Sequence, residues 1–251
     1  AQIAGVGVGL RGLLSVATWT SLSGRWEDGV ACAMSPVPLT TCGFLCWGGP
    51  ADLCVGGVGD TDAPDLLFCA VRGRNVSQRK TQVSKFAAYT AGSAVGSSFL
   101  AGTPAGALEL WASTAREVVR ISETSEVAHA GGVTCICSSQ GKGISGGNDG
   151  WVKVWSESLE CLRSYFVGTR GLSSLAVDLS FSKLACVSNG CLVELVADSG
   201  CATTLLEGDG RGQCGLDEKD GTLCTTGAGG FVRLWSSSTR KLRASFDLAG
   251  F

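Results

Sequence analysis

The sequence contains one histidine, His129, among its 251 residues. A serine or cysteine triad of the usual kind would have to use this single imidazole, and so would any histidine-containing zinc site. One histidine gives little basis for proposing such a site, and the acidic residues Asp217, Glu218 and Asp220 flank Lys219 in a turn that we expect to be solvated. We therefore predict a chain that is not an enzyme and that holds no metal and no cofactor.

The sequence also lacks an excess of charge and long apolar runs. Its formal net charge is −2, whereas a nucleic-acid-binding domain normally presents a strongly basic face. No apolar run reaches the length of a membrane span. The apolar opening AQIAGVGVGL carries no basic leader, and Arg11 interrupts it, which argues against a signal peptide. These features predict neither nucleic acid nor membrane as a partner.

Cysteine is abundant, but the cysteines lack the spacing of metal ligands or of a disulfide framework. There are 13 of them, an odd number, and no two are separated as in a CxxC pair. A free cysteine behaves as a small buried apolar residue, so we expect reduced thiols and a cytoplasmic location. A disulfide framework is the alternative.

A glycine-rich hairpin is the most informative local pattern. In GISGGNDGWVKVW, residues 143–155, the last five residues alternate as a half-buried strand does. Asn148, Asp149 and Gly150 tolerate the positive φ angles that a tight hairpin needs. The stretch therefore predicts two strands joined by a turn.

The hairpin recurs along the chain at a nearly constant spacing. The last strand residues of successive copies are Cys69, Trp111, Trp155, Val196 and Trp235, which are 42, 44, 41 and 39 residues apart. A period near 40 is typical of a β-propeller with one four-stranded antiparallel blade per repeat. A further strand pair ending near Trp19 or Trp26 raises the expected number of blades from five to six. An ordinary all-β sandwich is the alternative.

The segment EVAHAGGVTCI, residues 126–136, resembles the start of a WD40 repeat. The family's repeat opens on Gly-His and closes on Trp-Asp, and the corresponding pairs here are Ala128-His129 and Trp155-Ser156. The resemblance implies a hydrogen-bonded tetrad of His129, Ser145, Asp149 and Trp155 that supports the fold rather than binding a ligand. The other repeats lack the histidine and the aspartate.

The run from about Leu13 to Asp247 resembles the tandem-propeller region of the echinoderm microtubule-associated protein-like family. The segments that carry the resemblance are LLSVATW (13–19), LLFCAVRGRNVSQRK (66–80), FLAGTPAGALELW (99–111), VAHAGGVTCI (127–136), GISGGNDGWVKVW (143–155) and GFVRLWSSS (230–238). It implies that residues 1–251 are a WD40-repeat propeller region and an excerpt of a longer protein. Such a chain would cover parts of two rings, or would close alone with six blades.

The resemblance also implies a function. It is that of a non-catalytic, cytoskeletal interaction scaffold, with tubulin or microtubules as the first candidate partner. A basic segment at residues 72–85 offers contacts with an acidic partner through Arg72, Arg74, Arg79 and Lys80; a merely solvated loop is the alternative. Two other functions stay open, namely a generic WD40 adaptor without tubulin binding and, more remotely, a propeller enzyme.

Overall fold

The protein is all-β. The computed structural model describes residues 2–7, 13–20, 25–32, 39–48, 52–59, 66–72, 75–79, 81, 88–114, 117–124, 126–196, 199–206, 212–217, 221–227 and 230–247. These residues form 23 strands and contain no helix. Within that described part the strands pair as five four-stranded sheets and one three-stranded sheet, and neighbouring strands in each sheet are also neighbours in sequence. The pairing is antiparallel. The expectation of an all-β chain with four-stranded antiparallel sheets is confirmed.

The chain divides into two units, the first of which comprises Ala1–Thr103 and Glu109–Ser122. It contains three sheets, numbered here in chain order. Sheet 1 consists of β1 (Gln2–Gly7), β2 (Leu13–Thr20) and β3 (Arg25–Cys32). Sheet 2 consists of β4 (Leu39–Gly48), β5 (Asp52–Gly59), β6 (Leu66–Arg72) and β7 (Asn75–Gln78). Sheet 3 consists of β8 (Ala91–Val95), β9 (Ser98–Gly102), β10 (Leu108–Ser113) and β11 (Val118–Glu123). Two end residues of this sheet, Leu108 and Glu123, belong to the second unit.

The second unit comprises Pro104–Leu108 and Glu123–Phe251. Sheet 4 consists of β12 (Val133–Ser139), β13 (Lys142–Gly147), β14 (Trp151–Trp155) and β15 (Cys161–Phe166). Sheet 5 consists of β16 (Leu172–Val177), β17 (Lys183–Ser188), β18 (Cys191–Val196) and β19 (Cys201–Leu206). Sheet 6 consists of β20 (Cys214–Asp217), β21 (Thr222–Thr226), β22 (Phe231–Ser236) and β23 (Leu242–Asp247).

The repeat read from the sequence corresponds to the third strand of each four-stranded sheet. The five anchors of the repeat lie in β6, β10, β14, β18 and β22. The turn expected at 148–150 connects the second and third strands of sheet 4, and the turn at 188–191 connects the second and third strands of sheet 5. In the first of these turns only Gly150 has a positive φ, of 76°, whereas Asn189 and Gly190 both do. The second turn is therefore the tight two-residue hairpin, and the first is a wider turn.

Within each unit, the first strands of consecutive sheets lie against one another. In the first unit β1 contacts β4 and β4 contacts β8; in the second unit β12 contacts β16 and β16 contacts β20. The apolar residues of consecutive sheets pack between them. In the first unit Phe68 of sheet 2 meets two aromatic rings of sheet 3, with ring centroids 5.1 Å from Phe99 and 5.9 Å from Trp111.

Sheet 5 shows how alternation along one strand serves two neighbouring sheets. Leu184 and Cys186 of β17 belong to a core cluster that includes Ile144 of sheet 4. Ala185 and Val187 belong to another cluster, with Leu223 of sheet 6. Successive side chains of a strand point to opposite faces, so both faces of β17 are covered. By contrast, the fourth strands β15 and β23 are mostly exposed.

The thiols follow the same division between buried inner strands and exposed outer strands. Ten cysteines are described, all free, and only Cys161 in β15 is exposed. Burial raises the pKa of the Cys135 thiol to about 12, and burial raises the pKa of the Cys69 thiol to about 12. Burial and the neighbouring Cys46 together raise the pKa of the Cys54 thiol well above its ordinary value. These buried thiols are apolar filling rather than nucleophiles.

We predict that limited alkylation of the native protein labels Cys161 first and labels Cys54, Cys135 and Cys69 only after denaturation. The thiolate is the reactive form, and burial both raises the thiol pKa and blocks the reagent. Peptide mass spectrometry after brief iodoacetamide treatment would measure the order. A disulfide between these residues, or stoichiometric zinc in the purified protein, would contradict the assignment of free thiols.

Candidate functional site

The structure brings together the four residues that the WD40 resemblance selects. His129 precedes β12, Ser145 lies in β13, Asp149 lies in the turn between β13 and β14, and Trp155 ends β14. The strand register pairs Ser145 with Lys153, and paired residues share a face. Trp155 is two residues beyond Lys153, so its indole lies diagonally next to the Ser145 hydroxyl.

The four side chains form one continuous hydrogen-bonded chain. The Trp155 Nε1–H donates to Ser145 Oγ at 2.7 Å. Ser145 Oγ lies 2.7 Å from His129 Nε2, and His129 Nδ1 lies 3.0 Å from Asp149 Oδ1. The side chains of His129 and Ser145 are fully buried. The His129 network, as we call these four residues, therefore satisfies each of the buried polar groups that it contains.

The hydrogen bonds show which nitrogen of the imidazole carries a proton. Asp149 is a carboxylate and can only accept, so Nδ1 of His129 carries a proton. In a neutral ring Nε2 accepts from the Ser145 hydroxyl, whose oxygen accepts from Trp155. This arrangement is compatible with neutral histidine. Burial lowers the pKa of His129 below its ordinary value of 6.5, outweighing the opposite effect of Asp149, which agrees with a neutral ring.

Further contacts tie the loop before β12 to the network. The Asp149 carboxylate also accepts from the Ala130 N–H at 3.0 Å and from the Trp151 N–H at 3.2 Å. Lys153 Nζ donates to the Ala128 carbonyl at 2.6 Å. The His129 ring packs directly against the backbone at position 147, which must be glycine because a Cβ there would lie 2.5 Å from the ring. The network thus fixes a loop, a turn and a strand with respect to each other.

Sheets 5 and 6 differ from sheet 4 at the positions that correspond to Ser145 and Trp155. In sheet 6 the strand register places Thr225 and Trp235 where sheet 4 has its serine and tryptophan. Trp235 Nε1–H donates to Thr225 Oγ1 at 2.9 Å. In sheet 5 these positions hold Ala185 and Val196, which need no hydrogen bond. A hydroxyl residue ten positions before a tryptophan was the signal for the Thr225–Trp235 pair, and the sequence analysis missed it.

The basic segment is only partly described, and its described arginine is engaged within the protein. Arg79 Nη1 lies 3.3 Å from Asp52 Oδ1, and Nη2 donates to the Thr114 carbonyl. Ser113 Oγ donates to the other oxygen of Asp52 at 3.2 Å. Arg79 therefore links sheet 2 to sheet 3, and a partner would have to compete for it.

The other three residues of this segment cannot be placed as side chains. Arg72 ends β6, but its side chain lies outside the described part. Arg74 and Lys80 lie outside the described residues altogether. Their role as partner contacts stays a prediction from the sequence.

Comparison with protein-family models finds no match, and a search of curated proteins finds no match either. The described residues contain no group of three or more His, Cys, Asp or Glu side chains that could hold a metal ion. The same described part of the chain contains no helix that is long and apolar enough to cross a membrane. What the His129 network can do follows from its own geometry: it holds backbone segments in place.

We predict that Asp149→Ala lowers the free energy of unfolding by about 1–3 kcal/mol, since it leaves the buried Nδ1–H of His129 without an acceptor. Asp149→Asn keeps an acceptor oxygen of the same reach and should cost less. Urea denaturation followed by tryptophan fluorescence would compare the three proteins. Unchanged stability in Asp149→Ala, together with loss of a specific binding activity, would contradict a structural role.

A second prediction concerns pH. Because the pKa of His129 is lowered in the folded state, the unfolded chain binds more protons between the folded value and 6.5. Stability is therefore complete above about pH 6.5 and falls as the pH drops through that value toward the lower folded pKa. Urea midpoints at about pH 7.5 and about pH 6 should differ in the wild type.

The single histidine makes this pH test specific. In His129→Gln the difference between the two urea midpoints should shrink, because no other imidazole exists in the chain. The same histidine gives one imidazole signal in NMR, from which the folded pKa is read directly. An equal pH dependence in wild type and variant would contradict the assignment.

Proposed function

We propose that the chain is a non-catalytic protein-interaction scaffold built as a WD40-type β-propeller. The observation that carries this proposal is the recurrence of four-stranded antiparallel meanders whose first strands are adjacent within each unit. A propeller arranges its blades in this way around an axis. The described residues form five four-stranded sheets and one three-stranded sheet, which supports six blades, the larger of the two numbers expected from the sequence, without establishing a closed ring.

The His129 network supports the WD40 type of propeller. Its hydrogen bonds join the residues that the family resemblance selects, and the imidazole is buried and fully engaged. A propeller enzyme would need an accessible imidazole among convergent carboxylates. The geometry therefore favours a scaffold over an enzyme.

Tubulin is the first candidate partner, and the protein would act in the cytoplasm on the cytoskeleton. Support for this comes from the family resemblance and from the basic segment. Tubulin is acidic, so basic residues would steer the encounter and make binding sensitive to salt. The internal bonds of Arg79 favour the second candidate, a generic adaptor without tubulin binding, because they leave fewer cations for a partner.

The test is co-sedimentation with microtubules and capture of soluble tubulin, at low and moderate salt. The informative variant changes Arg72, Arg74 and Lys80 to Glu and keeps Arg79, because Arg79 links sheets 2 and 3. A matched control changes three exposed cations of sheets 4 and 6 to Glu, namely Arg163, Lys241 and Arg243. We expect binding by the wild type and the control, and weaker, less salt-sensitive binding by the variant.

Two other results would change the proposal. Binding in neither assay would remove tubulin and leave the generic adaptor. Binding that ignores both the substitutions and the salt would keep tubulin as the partner and remove the basic segment from the interface.

A further inference from the structure

A cavity of about 520 Å³ with a mixed polar and apolar lining lies within the second unit. It is bounded by the turn before β14, by the connection that enters β16 and by the turn between β17 and β18. Its lining includes Thr134, Asn148, Arg170, Leu172, Ser173 and Asn189. The volume is in the range of pockets that hold a ligand-sized group.

The walls of the cavity are fixed by hydrogen bonds. The Asn148 N–H donates to the Gly132 carbonyl at 3.1 Å, and the Ser188 hydroxyl donates to the Arg170 carbonyl at 3.0 Å. A Cβ at position 171 would lie 2.7 Å from Asn148 Oδ1, so Gly171 keeps this wall open. The cavity is therefore formed before any ligand arrives, which reduces the ordering cost of binding.

Hydrogen-bond donors predominate at one side of the cavity. Arg170 Nη1–H donates to Asn189 Oδ1 at 2.7 Å, an arrangement that assigns the oxygen of this amide to Arg170 and leaves its NH₂ group as a donor. Within the described part of the chain, neither the other N–H groups of Arg170 nor the Asn189 NH₂ has a further partner. Arg170 is also exposed. These unused donors favour a ligand with several acceptor oxygens.

The charge of the cavity restricts the ligand further. Among the described residues Arg170 is the one charged side chain that lines it, and none of these described lining residues is a carboxylate. A guanidinium matches the planar fork of a carboxylate and neutralises its single charge. A phosphate ester carries about two charges near neutral pH, and the described lining residues include no second cation to balance it.

We propose that this cavity binds the carboxylate of a glutamate or aspartate side chain on a partner peptide, with Arg170 and Asn189 as its donors. A bare carboxylate would fill little of the 520 Å³, so flanking peptide groups occupy the rest, against Leu172 and the hydroxyls of Thr134 and Ser173. This inference rests on the proposed scaffold function and names the chemistry of the partner segment.

The test is an NMR titration of the ¹⁵N-labelled full chain with short blocked peptides that differ only in the central residue: glutamate, glutamine or phosphoserine. We expect the glutamate peptide to shift the Arg170 and Asn189 signals and the glutamine peptide to bind about tenfold more weakly or not at all. Arg170→Ala should lose the response to glutamate. Arg243→Ala is the matched control, since Arg243 is another exposed arginine of this unit with a side-chain hydrogen bond, to Thr222 at 2.7 Å.

The outcomes separate this proposal from the scaffold function. The single His129 signal reports whether each variant keeps its fold. Equal binding of the glutamate and glutamine peptides, stronger binding of phosphoserine, or equal loss in Arg243→Ala would overturn the carboxylate site. If Arg170→Ala still captures a partner protein but does not respond to the peptides, the scaffold function stands. If the wild type responds to the glutamate peptide but captures no protein, the scaffold function is overturned and the carboxylate site stands.

Discussion

The structure depends on sheets whose central strands are apolar on both faces. In β17 four consecutive residues, 184–187, are buried, and alternate members of this run belong to different core clusters. One neighbouring sheet can cover only one of the two faces. Sheet 5 therefore needs sheet 4 on one side and sheet 6 on the other, and a single repeat could not stay folded in water. Burial decides the order of the sheets within the unit.

The His129 network supplies a hydrogen-bond acceptor for an indole N–H that this packing buries. A buried tryptophan contributes a large apolar surface but also brings an N–H that needs an acceptor. Ser145 accepts from Trp155 in sheet 4, and Thr225 accepts from Trp235 in sheet 6. Sheet 5 avoids the need by placing alanine and valine at the same positions. Replacing both partners of a buried hydrogen bond with apolar groups costs little, which accounts for sheet 5. Sheet 3 follows neither course, because Trp111 is fully buried and its Nε1–H has no acceptor in the described part of the chain.

Much of this architecture could be predicted from the sequence, because it depends on short-range patterns. Alternation and glycine-rich turns near a 40-residue period identify the hairpins, and each anchor lies in a third strand. The contacts of single cations could not be predicted in the same way. Arg79 bonds to Asp52 and to Thr114, which are distant in sequence, and nothing in the basic run from Arg72 to Lys85 indicates that this member is engaged. The pocket around Arg170 likewise depends on three separate loops.

The turn at residues 148–150 connects the stability of the fold to the shape of the proposed binding pocket. Asp149 faces the imidazole and the Ala130 N–H, while the preceding residue, Asn148, lines the cavity and donates through Nδ2 to the Gly131 carbonyl at 2.5 Å. Gly150 seats the turn closely against the next connection, where a Cβ would lie 1.6 Å from the Gly168 carbonyl oxygen. Because one short turn contributes to both sites, the buried network holds the pocket wall in place. The imidazole supports this wall although it is not among the residues that line the pocket.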